Sequence, residues 1–453
     1  MTKGRLLVAL LVAQATGCNA LTGASSVEIV PCIGNCGDAS GDAFFTDARY
    51  DSATTVDSGS GSDTLAKLDA ADAAFDGDGA VDADPTRPLH LGLGRSHSCV
   101  VLGNGDVRCW GANATGQLGD GTTTNGDKPG AIAITLATQI GGGDAHTCAR
   151  VGTESIACWG SNGSSELATA PPETCGAIPC AKTPVTITPF PGRPKVLDLV
   201  LSSATAGTFA LTSTGLLSWG NTACATTTVF TPKKCAPLGT DVPDKAVLGG
   251  THACAVFATG PPVQCWGSNV HGQLGRADPT SNDRQGVAGL GVPKQIAAGR
   301  EHTCVLDTAG VVYCWGANDR GQLGVVGGSS CGGTTCNPVP TKVPLAGGLK
   351  ATAIALGRDT SCAIVEDAGK SAVQCWGAND QSQCAVASAD PSPPTVVPAL
   401  ANATEVALGG SHGCAIVDSG LTVKCWGLNA DGQVGIGRAD AVVGTPAPVS
   451  LLP

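Results

Sequence analysis

The stretch EHTCVLDTAGVVYCWGANDRGQLG, Glu301 to Gly324, decides the fold, because six other places in the chain repeat it. It reads as a strand carrying His302 and Cys304, a turn from Asp307 to Gly310, a second strand ending in Cys314-Trp315-Gly316, and a loop from Asn318 to Gly324. A short strand leading to Gly (Gln295 to Gly299) precedes it, and a Pro-Val-Leu strand (Pro340 to Leu345) follows it. The seven Trp of the chain are Trp110, Trp159, Trp219, Trp266, Trp315, Trp376 and Trp426, and each is followed by Gly. They are spaced by 49, 60, 47, 49, 61 and 50 residues. Short strands at regular spacing, separated by turn residues, indicate an all-β fold. Four strands per unit of about 50 residues indicate propeller blades. The expected architecture is therefore a seven-bladed β-propeller with four-stranded blades over residues 89–453, in which each Trp is a blade-packing group. The first unit begins at Leu89 with no Pro-Val-Leu strand before it, and the chain ends on one, Pro446 to Leu452. The termini are thus expected to meet and close the ring, leaving no free sheet edge.

The repeat overrides the length prior, which for 453 residues would suggest about three domains. Aromatic residues make up only 4 % of the chain, so the core must be Val, Ala, Leu and Ile around one Trp per unit. The net charge of -11 is concentrated in residues 19–88, where 13 acids face 3 bases. The repeats carry no basic excess, which makes nucleic acid a poor candidate partner.

Twenty-two Cys point to an oxidising compartment or to metal. Twelve fall as pairs within units: Cys99 with Cys109, Cys148 with Cys158, Cys254 with Cys265, Cys304 with Cys314, Cys362 with Cys375, and Cys414 with Cys425. The third unit has Phe209 and Ser218 in their place, so both members are lost together, as residues bonded to each other would be. Facing positions on adjacent strands lie about 4.5–5.5 Å apart, within disulfide reach. Six cross-strand disulfides are expected. Cys175 with Cys180, Cys224 with Cys235, and Cys331 with Cys336 sit in loops and read as local staples rather than zinc ligands. The first and third of these pairs lie at the same distance from the preceding Trp, so their loops share one face. Cys32 and Cys36 close a small loop. Cys384 is left over, standing where the loop motif would have Leu; it fills that apolar place or, alternatively, pairs with another chain.

The start, MTKGRLLVALLVAQATGCNA, has a short basic segment and an apolar run, as an export signal does. Ala15-Thr16-Gly17-Cys18 resembles the bacterial lipoprotein cleavage box. The resemblance implies a signal peptide over residues 1–18, lipidation of Cys18, and, with Asn19 following, an outer-membrane destination. Residues 19–88 are Asp-, Ala-, Ser- and Gly-rich without a periodic apolar face, and are expected to form a disordered acidic linker. Asp76, Asp78, Asp82 and Asp84 belong to that linker rather than to a calcium loop, whose turn requires a Gly that is missing here.

The units G-x-x-H-x-C, C-W-G-x-N and G-Q-L-G resemble the regulator of chromosome condensation repeat, whose members form seven-bladed propellers. The best loop copies are Gly116 to Gly119, Gly272 to Gly275, Gly321 to Gly324 and, with Val434 for Leu, Gly432 to Gly435. Ser164 to Leu167 and Ser382 to Cys384 read as degraded copies. The resemblance implies protein binding in general: members include a nuclear exchange factor for a small GTPase, a plant ultraviolet receptor and a secreted bacterial β-lactamase inhibitor. Their contact residues lie outside the motif and none is carried over.

His97, His146, His252, His302 and His412 occupy one equivalent place per unit, with Gly207 and Thr360 in the other two. Equivalent positions in a ring are spread around its axis, which favours a repeated structural hydrogen bond over one metal site. The expected function is that of an exported, monomeric scaffold without cofactor. It binds a protein or envelope polymer through the loops Thr169 to Thr183, Thr222 to Lys234 and Gly328 to Asn337. The alternatives are an extracellular hydrolase or lyase with loop carboxylates, and a GTPase exchange factor-like binder, which conflicts with export.

Overall fold

A computed structural model describes residues 19–22, 28–31, 84–170, 173–187, 194–224, 229–367, 369–387, 389–391 and 393–451. The chain divides into two units, residues 1–66 and 67–453. In the first, within the expected linker, Asn19–Thr22 pairs antiparallel with Glu28–Pro31. Cys18, the Cys32 and Cys36 pair, and Asp76, Asp78 and Asp82 lie outside the described residues. Asp84 is described, and its carboxylate accepts hydrogen bonds from the Thr86 backbone N–H and hydroxyl.

Among its described residues the second unit contains seven sheets, in each of which the first three strands are consecutive and antiparallel from the inside outward. Blade 1 is Pro88–Leu93, His97–Leu102, Val107–Gly111 and Gly126–Ala131. Blade 2 is Ala137–Gly142, His146–Val151, Ser155–Ser161 and Ile178–Ile187, and blade 3 is Val196–Leu201, Gly207–Thr212, Gly215–Gly220 and Val229–Lys234. Blade 4 is Lys245–Leu248, His252–Val256, Val263–Gly267 and Gln285–Gly286, and blade 5 is Pro293–Ala298, His302–Asp307, Val312–Ala317 and Thr334–Lys342. Blade 6 is Lys350–Leu356, Thr360–Asp367, Lys370–Gly377 and Thr395–Val396, and blade 7 is Glu405–Leu408, His412–Val417, Thr422–Leu428 and Val442–Val449. The first strand of each blade lies beside the first strand of the next, with blade 7 returning to blade 1, so these strands surround the axis.

The ring closes in phase. Val442–Val449 completes blade 7, and no strand is shared between the two ends among the described residues. Closure comes from contacts between whole blades. The Leu91 N–H donates to Glu405 Oε1, and Trp110 packs among Ile416, Val423 and Val434.

The second and third strands of six blades face each other at the Cys pair, with Cα atoms 4.1 Å apart. In blade 3, Phe209 stands opposite Ser218. Gly follows every Trp for a steric reason: Gly316 takes φ 107°, and a Cβ there would sit 2.4 Å from Glu301 O. Only Gly is comfortable in that conformation. The third and fourth strands shift register at this residue, as a β-bulge does. Each Trp is buried and lies in one apolar cluster with the preceding blade; Trp315, for example, shares a cluster with Val263 and Leu274 of blade 4.

Candidate interaction face

In each blade the first and third strands run the same way. The links from strand one to two and from strand three to four therefore emerge at the same end of the ring, the loop face. The turns between strands two and three, and the links to the next blade, emerge at the other end. All three sequence-selected segments follow a third strand and so begin at the loop face.

Two of these segments are hairpins rather than open loops. Glu173–Cys175 adds a fifth strand to blade 2 by pairing with Ile178–Cys180, and Ser329–Cys331 pairs with Thr334–Cys336 in blade 5. Disulfides Cys175–Cys180 and Cys331–Cys336 close them. Each rests on the loop of the blade before it. The Gly121 N–H of blade 1 donates to Lys182 O, and His271 Nδ1 of blade 4 lies 2.9 Å from Thr334 Oγ1. Lys182 Nζ pairs with Glu173 Oε2 at 2.7 Å. The third segment departs from the expectation more strongly. Residues 229–234 of Thr222 to Lys234 are the outer strand of blade 3, and the Cys224–Cys235 disulfide is buried in the cluster with Trp266. The disulfide thus packs between blades 3 and 4, while Thr231, Lys233 and Lys234 of the same segment are exposed and residues 225–228 lie outside the described residues.

The remaining loops are organised by the Asn of C-W-G-x-N. Asn318 Oδ1 accepts from the Leu323 N–H, and Asn318 Nδ2 donates to Val325 O and Gly327 O. Asn162 and Asn379 do the same in the two units that read as degraded, so those loops keep their shape. The loop then holds the next blade. Gln322 O accepts from Trp376 Nε1 at 2.9 Å and from the Ser361 hydroxyl at 2.9 Å, and His302 Nε2 lies 2.9 Å from that hydroxyl. The hydroxyl has spent its proton on the carbonyl, so the imidazole donates through Nε2–H. The same chain runs through His97 and Thr147, His252 and Thr303, and His412 and Ser98. His146 meets Thr208 Oγ1. In all five, Nδ1 is buried without a partner, and burial lowers the pKa, to about 4 for His97 and about 3 for the others. These imidazoles hold blades together. Among the described residues no group of His, Cys, Asp or Glu is placed to hold a metal ion. Cys384 is buried in the cluster with Trp426, and burial raises its thiol pKa.

At the centre of the loop face the residues just before G-x-x-H's second x form a belt around the axial mouth. Backbone N–H groups link neighbouring blades there: Arg95 to Gly143 O, Asp144 to Thr205 O, Gly250 to Arg300 O, Arg300 to Arg358 O, and Gly410 to Arg95 O. Arg95 pairs with Asp144 at 3.2 Å, Arg300 with Asp359 at 3.0 Å, and His271 Nε2 lies 3.6 Å from Glu301. Burial, then the neighbouring Arg95 and Arg300, lower the pKa of Arg358. Sequence reasoning passed over these residues because they fall at the variable places inside a repeated motif. That variability, charged in some blades and Gly in others, was the available signal.

Two family models for the Regulator of chromosome condensation (RCC1) repeat match the chain, one at residues 90–117, 294–322 and 403–433 and one at residues 104–150, 263–306 and 309–364. Prp20p from Saccharomyces cerevisiae, studied for binding to Gsp1p and histones, is similar in structure at 21 % identity and TM-score 0.65, covering 80 % of this chain and 87 % of its own. Yeast RCC1 (Prp20) bound to Kap60 gives 20 % identity and TM-score 0.65 over 88 % and 90 % of the two chains. Human WBSCR16 gives 19 % and 0.64 over 76 % and 94 %. At these identities the likeness establishes the fold. No curated protein matches the sequence significantly.

Proposed function

We propose that this chain, whose matched segments are Regulator of chromosome condensation (RCC1) repeats, is a non-enzymatic scaffold that binds a protein through the loop face. One observation carries the reading: the two hairpins of blades 2 and 5, each closed by a disulfide and seated on a neighbouring loop. A segment fixed in this way loses little freedom on binding, which leaves more of the contact energy as affinity. The hairpins also present apolar contact chemistry. Ile178 is 42 % exposed at one, and Val270, 49 % exposed, lies against Gly332 at the tip of the other.

Nine disulfides among the described residues belong to an oxidising environment. We place the protein outside the cytosol as a monomer, held to the outer membrane through lipid on Cys18, with residues 19–88 as the tether. The partner is an envelope protein. Exchanging residues 173–180 and 329–336 for short turns should leave a folded ring and abolish capture of that partner from envelope extracts, scored by mass spectrometry. Unchanged capture would put binding at the opposite end of the ring. Absence of lipid on mature Cys18 would remove the anchor and leave the binding reading standing.

A further inference from the structure

We infer that the axial mouth of the loop face receives a carboxylate from an acidic segment of a protein partner, with Arg358 as the anchoring residue. This rests on the reading that the loop face binds a protein, and specifies the chemistry of what it binds.

Three guanidiniums sit on the belt, and two of them are already engaged, Arg95 with Asp144 and Arg300 with Asp359. Arg358 has no side-chain hydrogen bond and no ion pair among the described residues, although it is half-buried. The backbone links between Arg300, Arg358 and their neighbours fix where these side chains start. The belt glycines fix where two of them lie. A Cβ built on Gly410 would stand 3.0 Å from Arg95 Cγ, and one on Gly250 would stand 3.2 Å from Arg300 Cγ, so the stems of both arginines rest against bare backbone. Arg358 is thus left between Arg300 and a blade whose belt residue, Gly410, has no side chain to offer.

With the charges of Arg95 and Arg300 nearby and no acceptor among the described residues, the Arg358 guanidinium relies on water for the acceptors its five N–H groups need. An incoming carboxylate supplies two of them in the fork geometry that suits arginine. The cost of holding the like charges together is met on folding, so satisfying Arg358 adds to binding. The surroundings select the carrier of that carboxylate. Asp144, Asp359 and Glu301 border the same opening and repel a polyanion, whereas one carboxylate can reach Arg358 without approaching all three. Val270 stands exposed next to His271, which reaches Glu301, so an apolar residue flanking the carboxylate finds a contact at the rim.

The test is fluorescence anisotropy on the full chain, using a labelled Gly-Ser octapeptide carrying one Leu-Glu pair, its Leu-Gln counterpart, and polyphosphate as competitor, at about physiological ionic strength. The Leu-Glu peptide should bind and the Leu-Gln peptide should not. Arg358→Gln should weaken binding by about tenfold or more, the usual effect of losing a charged hydrogen-bonded pair. Arg358→Lys should retain part of the affinity. The melting temperature of Arg358→Gln should be unchanged or higher, because no intramolecular bond is lost, which separates recognition from a structural role. Equal binding of the two peptides, an unaltered affinity in Arg358→Gln, or polyphosphate outcompeting the Leu-Glu peptide would each overturn the inference. The hairpin exchange leaves the belt in place, so loss of partner capture there combined with a neutral Arg358→Gln would retain protein binding and discard the acidic anchor.

Discussion

The interface between blades 5 and 6 and the interface between blades 3 and 4 close the same ring with opposite chemistry. At the first, Trp376 and Ser361 both donate to Gln322 O, and His302 donates to Ser361. At the second, Gly207 stands where the His would be and Ala253 where the hydroxyl would be, and Trp266 Nε1 is buried without a partner. Phe209, Leu238 and Phe257 fill the space instead, in one cluster with Trp266 and the Cys224–Cys235 disulfide. The losses coincide because the groups depend on one another. The His needs the hydroxyl, the hydroxyl needs the loop carbonyl, and the indole needs that same carbonyl. Once the Gln-bearing loop is gone, every buried polar group behind it is a liability, and apolar replacement is the stable answer. The interface between blades 6 and 7 is intermediate: Trp426 reaches Gln383 O, but Thr360 replaces the His and Gly413 the hydroxyl. Burial therefore closes the ring, and the polar latch is an addition whose His and hydroxyl are lost together, with or without the indole bond.

Acid should break the comparison open with the largest effect. Histidine in an unfolded chain titrates near 6.5. The five latch imidazoles are held at about 4 or about 3. A depressed folded pKa means that the unfolded chain takes up protons first as pH falls. The stability these groups provide is therefore complete above about pH 6.5 and is lost as pH drops toward 3 to 4. Between pH 7 and 5 the loss is about 2 kcal/mol per imidazole, hence roughly 10 kcal/mol for five. Thermal melts should shift down by about 10 °C or more over that interval. His302→Gln should reduce proton uptake on unfolding at pH 5 by about one. The seam between blades 3 and 4 contributes nothing to this dependence, so a melting temperature indifferent to pH from 7 to 5 would mean that the imidazoles are not the buried neutral donors described above.

A smaller effect separates two tryptophans that are almost equally buried. Trp315→Phe removes the 2.9 Å bond to Gln273 O, whereas Trp266→Phe removes an N–H that has no acceptor. Both substitutions leave the same void, so the void cancels between them. The lost bond costs about 1 kcal/mol and the deleted orphan returns about 1–3 kcal/mol, so Trp315→Phe should be the more damaging by about 2–4 kcal/mol. Urea titrations of the two variants measure this directly. Equal losses would show that the indole bond is energetically idle and that the latch is a matter of shape alone.

The sequence made the blades legible because two signals fix register by themselves. Paired Cys must face each other, and Trp-Gly marks the bulge at the end of the third strand. It left the insertions ambiguous, since a C-x4-C segment closes an irregular loop as readily as the hairpin that forms. Within Thr222 to Lys234 the strand over residues 229–234 was not legible because VFTPKK, with Pro232 inside it, has neither alternation nor the Pro-Val-Leu pattern of other outer strands. Ser164 to Leu167 and Ser382 to Cys384 read as degraded because Ser165 and Ser382 replace the first Gly, Glu166 replaces the Gln and Cys384 replaces the Leu. The loop is held by Asn162 and Asn379, which are present, and by a main-chain carbonyl that any residue supplies. The axial belt was illegible for a different reason: its chemistry depends on which side chains differ from blade to blade, and a search for repeats averages that away.

The smallest expected effect sharpens the half-latched interface. In the loop that carries Gln383, Ser382 takes φ 57°, where blade 4 has Gly272 at φ 74°. A left-handed conformation costs a side-chain-bearing residue about 1–2 kcal/mol. Gly removes that cost but gives back about 0.5–1 kcal/mol of unfolded-chain entropy. Ser382 is only partly buried, so little packing is lost on trimming it. Ser382→Gly should therefore stabilise the ring by about 0.5 kcal/mol, through a loop that already holds Trp426. The reverse change in blade 4, Gly272→Ser, meets backbone as well as strain, because its Cβ would stand 2.5 Å from Pro338 Cα. It should cost clearly more than Ser382→Gly gains. If denaturant midpoints instead moved by equal and opposite amounts, backbone conformation alone would set the cost, and the packing of one blade's hairpin on the preceding loop would count for nothing.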